Sequence, residues 1–393
     1  ASQYVDSLGH FFRMRNRAQE GLELFSQAIA CLEARTGADS RRLLAHVLRS
    51  QSWMLACLWR LDAAIVPAQR ALALAEEQAD QVRVADFQDI LARVLRSDER
   101  DSQDAEAAIR LCLESIERFR EDDDKYALAR ALTLLGYNTS FGRGDIAAGL
   151  AIHREATAFF REIGNHFELM IQLDNAGAMF ERLGEWPQAE QAYRESLAIA
   201  REYGYSAFMG FILSDLIVLL LNEHKLDEAD ALLTEGLALA TRQNISRDIA
   251  ALHTERSLWH WFQGRYVEAV PWAEKAMDTI ARLPEDMYHD GNKLALLALG
   301  CAHCGIGDFA QAKPLLLQAL PLLVPGGYPI PACLAGIAAV LGHEDQPERA
   351  LEIISLVGHH RLTPAWWLED EPLTRRLLQD LQQTLAPDTY AAA

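Results

Sequence analysis

The sequence has no stretch in which Val, Ile and Thr alternate with polar residues, which is the pattern of half-buried β-strands. Hydrophobic residues make up 50% of its 393 positions, and Ala and Leu are abundant among them. A chain of this length exceeds what one compact core usually holds, so we expect either several domains or a repeat array. The composition favours an all-helical protein.

Basic residues are scarce, since 37 Lys and Arg stand against 56 Asp and Glu, for a formal net charge of −19. Binding to a nucleic-acid backbone needs clustered Lys and Arg, so we expect no nucleic-acid partner. The sequence also lacks an apolar run of about 18 residues and a signal-peptide pattern. We therefore expect no membrane partner and a soluble, cytoplasmic protein.

Motifs for catalysis are missing as well. No Gly-Lys-Ser/Thr phosphate loop, Gly-x-Ser-x-Gly or His-Glu-x-x-His occurs. Gly142-Arg-Gly144-Asp-Ile-Ala147 matches a dinucleotide fingerprint by its letters, but it follows a predicted helix where that fingerprint needs a strand, so we predict a turn. We expect no enzyme activity and no cofactor. A helical-repeat enzyme is a third alternative, which would need a convergent polar cluster.

Metal binding has only weak support in the sequence. Cys301, His303 and Cys304 offer the atom types of a zinc site, but they lie inside a predicted helix and no second cysteine pair occurs. We interpret them as packing residues. The six cysteines lie mostly on apolar helical faces of a long chain, so we expect them to be reduced and expect no metal.

One stretch, Leu173 to Ala200, consists of two amphipathic runs on either side of a Leu-Gly-Glu-Trp-Pro turn. This pattern predicts a helical hairpin. Gly177, Ala189 and Ser196 are small residues at the positions where the two helices would cross. The stretch resembles a tetratricopeptide (TPR) repeat, which combines a Leu-Gly and an aromatic in its first helix with an Ala, aromatic, Ala/Ser series in its second.

The small residue at position 189 recurs along the chain. It corresponds to Gly21, Ala64, Ala108, Gly149, Ala189, Ala229, Ala269, Ala312 and Ala350. Successive members are 43, 44, 41, 40, 40, 40, 43 and 38 residues apart. A second small residue follows seven positions later in all repeats except the last, which has Val357. Its positions are Ala28, Ala71, Ser115, Ala156, Ser196, Gly236, Ala276 and Ala319. These columns predict nine stacked hairpins of the long-repeat TPR type.

We therefore predict an all-α fold, a right-handed α-solenoid of about nine TPR-like helical hairpins with a C-terminal capping helix. The cap is predicted over Glu371–Leu385, where Leu recurs at four-residue steps. Four prolines and two glycines in the stretch 321–331 predict a break. The expected organisation is repeats one to eight over residues 1–324, and the break, a short ninth repeat and the cap over residues 325–393. Because the first hairpin is a full repeat, we expect the native chain to continue upstream.

The long repeats, the Ala-rich second helices and the short repeat from Pro331 to Val357 resemble the C-terminal arms of bacterial STAND-class signal-transduction ATPases. That class includes ATP-dependent transcription activators whose sensor arm binds an inducer. The resemblance implies a non-catalytic sensor or regulatory arm. Its partners would be a peptide, protein or small-molecule inducer and an ATPase or effector module upstream in the same polypeptide. The alternative is a constitutive scaffold that binds a protein through its convex or end surfaces.

In TPR arrays the first helix of each repeat lines the concave face, and the resemblance places the ligand-binding residues there. The candidates in this chain are Arg130, Tyr137, Asp174, Asn175, Arg182, Phe211, Ser214, Asp215, Thr254, Glu255 and Trp261. Asn175 resembles an asparagine that long-repeat TPR proteins use to hydrogen-bond a peptide backbone, although a solvated or locally bonded side chain is equally compatible. Trp259, Trp261 and Phe262 form either a binding platform or packing between repeats.

Overall fold

The computed structural model describes most of the chain. The described ranges are 2–15, 17–35, 37–58, 60–78, 102–283, 289–323, 330–359, 367–386 and the positions 84, 87, 88, 90–92, 363 and 390. All regular structure in these ranges is helical, and no described helix combines the length and the apolar character that crossing a membrane requires. The predicted all-α solenoid is confirmed.

The helices are numbered here in chain order. They are α1 (Ser2–Met14), α2 (Ala18–Glu33), α3 (Ala38–Cys57), α4 (Leu61–Glu77), α5 (Ser102–Glu121), α6 (Lys125–Tyr137), α7 (Ile146–Glu162), α8 (His166–Leu183), α9 (Trp186–Tyr203), α10 (Ser206–Asn222), α11 (Leu226–Gln243), α12 (Ser246–Phe262), α13 (Tyr266–Ile280), α14 (His289–Ile306), α15 (Phe309–Leu323), α16 (Ile330–His343), α17 (Pro347–His359), α18 (Trp367–Asp370) and α19 (Pro372–Thr384). The first helices of the hairpins are α1, α3, α6, α8, α10, α12, α14 and α16. The helix predicted over 82–96 lies largely outside the described residues.

The columns of small residues are buried, as the crossing of two helices requires. Seven alanines of the first column have no exposed surface, namely Ala64, Ala108, Ala189, Ala229, Ala269, Ala312 and Ala350. Only small side chains allow two helix backbones to approach so closely. At Gly149 on α7, an added Cβ would stand 2.6 Å from the carbonyl oxygen of Gly136 on α6. The repeat signature is therefore a packing signature.

The turns of the central hairpins are uniform. Gly164, Gly184, Gly204, His224, Asn244 and Gly264 all have positive φ, and each lies two residues before the next helix. These positions are 20 residues apart, which gives α8 to α12 lengths of 17 or 18 residues. At Gly184 (φ 76°) the helix ends with Glu185 N–H donating to the Phe180 carbonyl at 2.9 Å. The left-handed residues therefore set the regular 40-residue period of this region.

A π-helix at Asn138–Gly142 continues α6, and the sequence pattern predicts ordinary helix as far as Phe141. The side chains of Asn138 and Thr139 bond back to Leu134 and Leu135 carbonyls at 2.9 and 2.7 Å. Such back-bonding competes with the regular helical pattern. A wider turn is a local feature that hydrophobic periodicity cannot reveal.

The C-terminal cap forms as expected. Helix α19 packs on α16 and α17, and its leucines at 373, 377 and 381 are buried. Glu371 caps its N-terminus by accepting from the backbone N–H of Leu373 at 3.0 Å and of Thr374 at 2.6 Å. This helix covers the apolar end of the last repeat.

Ion pairs join the second helices of neighbouring hairpins on the surface. They are Arg70–Glu33, Arg120–Glu155, Arg161–Glu195 and Arg194–Glu228. Their side chains are about half exposed, so each contributes little to stability.

The chain divides into two compact units. Unit 1 comprises residues 1–179 and 195–207, and unit 2 comprises residues 180–194 and 208–393. The division falls inside the fifth hairpin, whereas the expected break lies at the Pro/Gly-rich stretch, of which residues 324–329 are outside the described ranges. The boundary at residue 324 stays a prediction.

Candidate functional site

The predicted ligand-binding residues are distributed over both units. Unit 1 contains Arg130, Tyr137, Asp174 and Asn175. Unit 2 contains Arg182, Phe211, Ser214, Asp215, Thr254, Glu255 and Trp261. Within unit 2, the structure brings several of them together.

Ser214 and Asp215 on α10 lie next to Glu255 on α12, the first helix of the following repeat. The Ser214 hydroxyl donates to Glu255 Oε1. The Glu255 side chain is 3% exposed, and its Oε2 has no hydrogen-bond partner among the described residues. A buried carboxyl oxygen without a donor is costly, so this group marks a place where a ligand could supply the missing hydrogen bond.

Glu181, near the end of α8, belongs to the same site. Tyr193 donates its hydroxyl to Glu181 Oε2 at 3.1 Å. The pKa of Glu181 is raised to about 8, first by burial and then by the charge of Asp215, against the opposing effects of Tyr193 and Arg182. Arg182, a predicted site residue, thus contributes its charge here.

The other carboxyls of the site are perturbed in the same direction. Burial raises the pKa of Asp215 to about 7 and that of Glu255 to about 8. The hydrogen bond from Ser214 opposes the rise at Glu255, whereas the negative charges of Asp215 and Asp248 add to it. Each carboxyl therefore exchanges its proton near neutral pH.

Arg247 and Asp248 complete the site at the start of α12. Arg247 places its guanidinium 3.4 Å from the centre of the Phe211 ring and donates to Asp248 Oδ1 at 2.9 Å. Asp248 is buried against Gly210, where an added Cβ would stand 2.0 Å from Asp248 Oδ2. Burial raises the pKa of Asp248 despite Arg247. We call the group Glu181, Ser214, Asp215, Asp248 and Glu255 the carboxylate site.

Two of the predicted ligand-binding residues of α12 lie in the core of unit 2. Thr254 is buried and donates its hydroxyl to the Ala250 carbonyl at 3.0 Å. Trp261 has no exposed surface and packs on Phe262 and Trp367, with ring centres 5.0 and 5.8 Å apart. Trp261 cannot present its ring to a ligand in this conformation, because the C-terminal segment covers it.

The neighbouring Trp259 is held by packing between repeats. Its Nε1 donates to the Leu226 carbonyl at 2.9 Å, and the guanidinium groups of Arg256 and Arg265 lie over its ring. Of the two interpretations of the aromatic cluster, the structure therefore favours packing.

The candidates in unit 1 have separate surroundings. Arg130 is buried, with its guanidinium 5.5 Å from the Trp53 ring centre and 5.7 Å from that of Tyr126. Tyr137 packs on Phe141 at 4.7 Å between ring centres. Asp174 and Asn175 are both partly exposed.

The cysteines act as packing residues with weak donor bonds. Cys301, Cys304 and Cys333 are buried, and their thiols point to carbonyl oxygens of Ala332, Gly336 and Leu316 at 3.7, 3.5 and 3.5 Å. Burial raises the pKa of all three thiols. Within the described residues, no three His, Cys, Asp or Glu side chains converge as metal ligands do.

Glu181, Arg247 and Asp248 are members of the site that the sequence interpretation missed. One signal was available, since Asp174, Asp215 and Glu255 follow one another at about one repeat length. That spacing points to α10 and α12 but says nothing about Glu181, which lies on α8 and interacts with Asp215 and Tyr193. Arg247 and Asp248 precede the predicted groove positions by two turns of helix.

Comparison with known proteins finds likeness in structure alone. No family model and no curated protein matches the sequence. Aspartyl phosphate phosphatase F from Bacillus subtilis is similar, with a TM-score of 0.57 and 12% identity over 83% of this chain and 94% of that chain. The apo quorum sensor NprR from B. thuringiensis has a TM-score of 0.54 and 14% identity over 82% and 87%.

A third structure, a Rap protein complexed with competence and sporulation factor, has a TM-score of 0.54. It is 12% identical over 86% of this chain and 99% of that chain. Identities this low establish the fold alone. The chain has the fold of the TPR-like helical solenoids.

Proposed function

We propose that this chain is a non-catalytic binding arm whose carboxylate site captures the cationic group of a peptide or small-molecule inducer. The observation that carries the proposal is Glu255, a buried carboxyl whose Oε2 has no hydrogen-bond partner in the described part of the chain and whose pKa is raised by the charges of Asp215 and Asp248. An ammonium or guanidinium group would supply both the missing donor and the missing positive charge. Perturbed carboxyls of this kind are typical of functional sites.

The surroundings of the site suit a ligand with both charge and apolar surface. Phe211 contributes an aromatic face beside Arg247, and the overall charge of −19 attracts cations. Binding would also release protons, because a cation favours the ionised form of carboxyls whose pKa is about 7 or 8.

We further propose that the arm belongs to a larger signal-transduction ATPase or transcription regulator of the STAND class. Similar solenoids occur in a quorum sensor and in a Rap protein bound to competence and sporulation factor, which supports a regulatory role for this fold. The reading frame that encodes the chain tests this point. A nucleotide-binding module upstream supports it, and a frame that contains the repeat array alone contradicts it.

The site itself is tested with agmatine and spermidine as cationic probes. We expect both to raise the melting temperature of the wild-type chain and to give saturable calorimetric binding at pH 8. The double variant D215N/E255Q should bind at least tenfold more weakly. The matched control is E228Q, which removes an exposed carboxylate of the same unit and should bind as the wild type does.

Two outcomes would contradict the assignment. One is the absence of saturable binding by either cation to the wild-type chain. The other is equal weakening in E228Q and the double variant, which would mean that general charge attraction and no particular site binds the probes. The first outcome favours the alternative of a constitutive scaffold.

A further inference from the structure

A groove runs along the C-terminal helix α19, where this helix faces the turns of the last two hairpins. It forms a cavity of about 550 Å³, which is the size of sites that hold small ligands. Gly307 and Phe309 line it from the turn between α14 and α15, and residues between 339 and 347 line it from α16 and the start of α17. All these residues belong to unit 2. We call this groove the cap cavity, and its lining residues on α19 are Leu373, Arg376, Leu377, Asp380, Leu381 and Thr384.

Part of the wall of the cap cavity is apolar. Leu373, Leu377 and Leu381 follow one another by one helical turn along α19, and all three are buried. From the turns, Phe309 and His343 contribute two stacked rings whose centres are 4.4 Å apart and whose planes are inclined by 21°. Leucine side chains and ring faces together suit an aliphatic or aromatic group of a ligand.

The charged groups of the cap cavity are left unpaired. Arg376, Asp345 and Asp380 line the cavity, and in the part of the chain that the structure describes none of their side chains forms an ion pair or a hydrogen bond. Arg376 and Asp380 are four residues apart on α19, a spacing at which opposite charges on a helix often pair. Because they do not pair here, both remain available to a ligand in the cavity.

Charges of opposite sign lie toward different ends of the cap cavity. Burial raises the pKa of Cys304 and the charge of Arg376 opposes that rise, which places Arg376 beside the end of α14. Asp380 lies one turn further along α19. Asp345 belongs to the turn between α16 and α17, where its φ is 55°. The cavity therefore presents a cation at one end and carboxylates at the other, with apolar surface between them.

We propose that the cap cavity binds a small zwitterion of the size of a free dipeptide with apolar side chains. The carboxylate of the ligand accepts from the guanidinium of Arg376, and its ammonium group donates to Asp380 and Asp345. Its side chains pack between the leucines of α19 and the stacked rings of Phe309 and His343.

The dimensions of the cap cavity match this class of ligand. At 1.5 Å per residue, Arg376 and Asp380 are separated by about 6 Å along the axis of α19. An extended dipeptide spans about 7 Å between its charged ends. This site is separate from the carboxylate site, depends on other residues, and recognises both charges of its ligand where the carboxylate site recognises a cation.

The experiment is a calorimetric titration of the full chain at pH 7 with leucyl-phenylalanine and, separately, with N-acetyl-leucyl-phenylalanine amide. The two probes carry the same side chains, and only the first has charged termini. We expect saturable binding of the free dipeptide, at least tenfold tighter than binding of the blocked one. R376Q should weaken binding of the free dipeptide at least fivefold. The matched control R375Q removes the neighbouring arginine of α19, which lies outside the lining of the cavity, and should bind within twofold of the wild type.

A second variant covers the case in which R376Q loosens α19. Burial raises the pKa of the capping residue Glu371, and the charge of Arg376 opposes that rise, so its removal also alters the start of the helix. D345N/D380N keeps Arg376 and should likewise bind the free dipeptide at least fivefold more weakly.

Three outcomes would overturn the proposal. The first is the absence of saturable binding by the free dipeptide, and the second is equal affinity for the free and the blocked probe. The third is wild-type affinity in D345N/D380N, or equal weakening in R375Q and R376Q. The D215N/E255Q variant should bind the dipeptide as the wild type does, so failure here and failure of the carboxylate site are distinguishable.

Discussion

The first helices of unit 1 and unit 2 follow the same repeat but differ in how their charged side chains are paired. In unit 1, Arg13 and Arg49 pair with the carboxylates of Glu168 and Asp6 around Trp53. In unit 2, Glu255 is buried, the one described side-chain donor to it is the Ser214 hydroxyl, and the charges of Asp215 and Asp248 raise its pKa. The repeat dictates the small residues at helix crossings and leaves these neighbouring positions free to differ. We therefore expect function to depend on these neighbouring positions, at which the side chains of the two units differ.

The largest expected effect comes from breaking the buried pair of unit 1. E168Q leaves the largely buried Arg13 side chain, 13% exposed, without the carboxylate of Glu168, and such a change costs about 3 kcal/mol of stability. Urea unfolding followed by circular dichroism measures it. A loss below about 1 kcal/mol would show that this pair is no stronger than a surface pair.

The corresponding change in unit 2 should have the opposite sign. The pKa of Glu255 is about 8 in the folded chain against an ordinary 4.5. The contribution of the protonated carboxyl to the free energy of unfolding is therefore present in full below pH 4.5 and is lost as the pH rises through 8. E255Q cannot ionise. We expect it to leave stability at pH 5 nearly unchanged and to raise it by about 2 kcal/mol at pH 8.5. Unfolding curves at both pH values check this, and an equal effect at both would contradict the linkage.

Two glycines, one in each unit, differ in the space that surrounds them. At Gly210 in unit 2 an added methyl group would collide with Asp248, whereas at Gly9 in unit 1 the nearest atom is Ser50 Oγ at 3.7 Å. G210A should lose about 1.5 kcal/mol, because Asp248 must move from its buried position. G9A should gain about 0.5 kcal/mol, because alanine favours the helix. Thermal unfolding of both variants distinguishes them, and equal shifts would count against the role of Gly210.

The smallest effect is expected on the surface. R161Q removes a half-exposed ion pair to Glu195 and should change stability by less than about 0.5 kcal/mol. Added salt should reduce even that difference. A larger loss in urea unfolding would mean that the pairs between second helices act as a network, which would weaken the contrast with Glu168.

Most of the architecture was predictable because it depends on local signals. The sequence predicts a helix over Ser206–Glu223, and the structure has Ser206–Asn222. Amphipathic periodicity and left-handed turn residues suffice for such bounds. The π-helix at Asn138–Gly142 was missed, because it depends on side-chain bonds to the preceding turn.

The candidate site was only partly predictable. Ser214, Asp215 and Glu255 were selected because the TPR resemblance places them on the concave face, and the structure brings them together within unit 2. Trp261 was selected for its aromatic ring, but a segment about 100 residues further along the chain covers it.

The bond between Arg13 and Glu168 has a consequence for how unit 1 unfolds. Repeats in a solenoid normally contact only their neighbours, so an array can fray from its end one hairpin at a time. This bond joins residues 155 positions apart, from the first repeat to the fifth. Loss of the first hairpin would therefore be felt four repeats away, and unit 1 should open cooperatively where an open array would melt gradually.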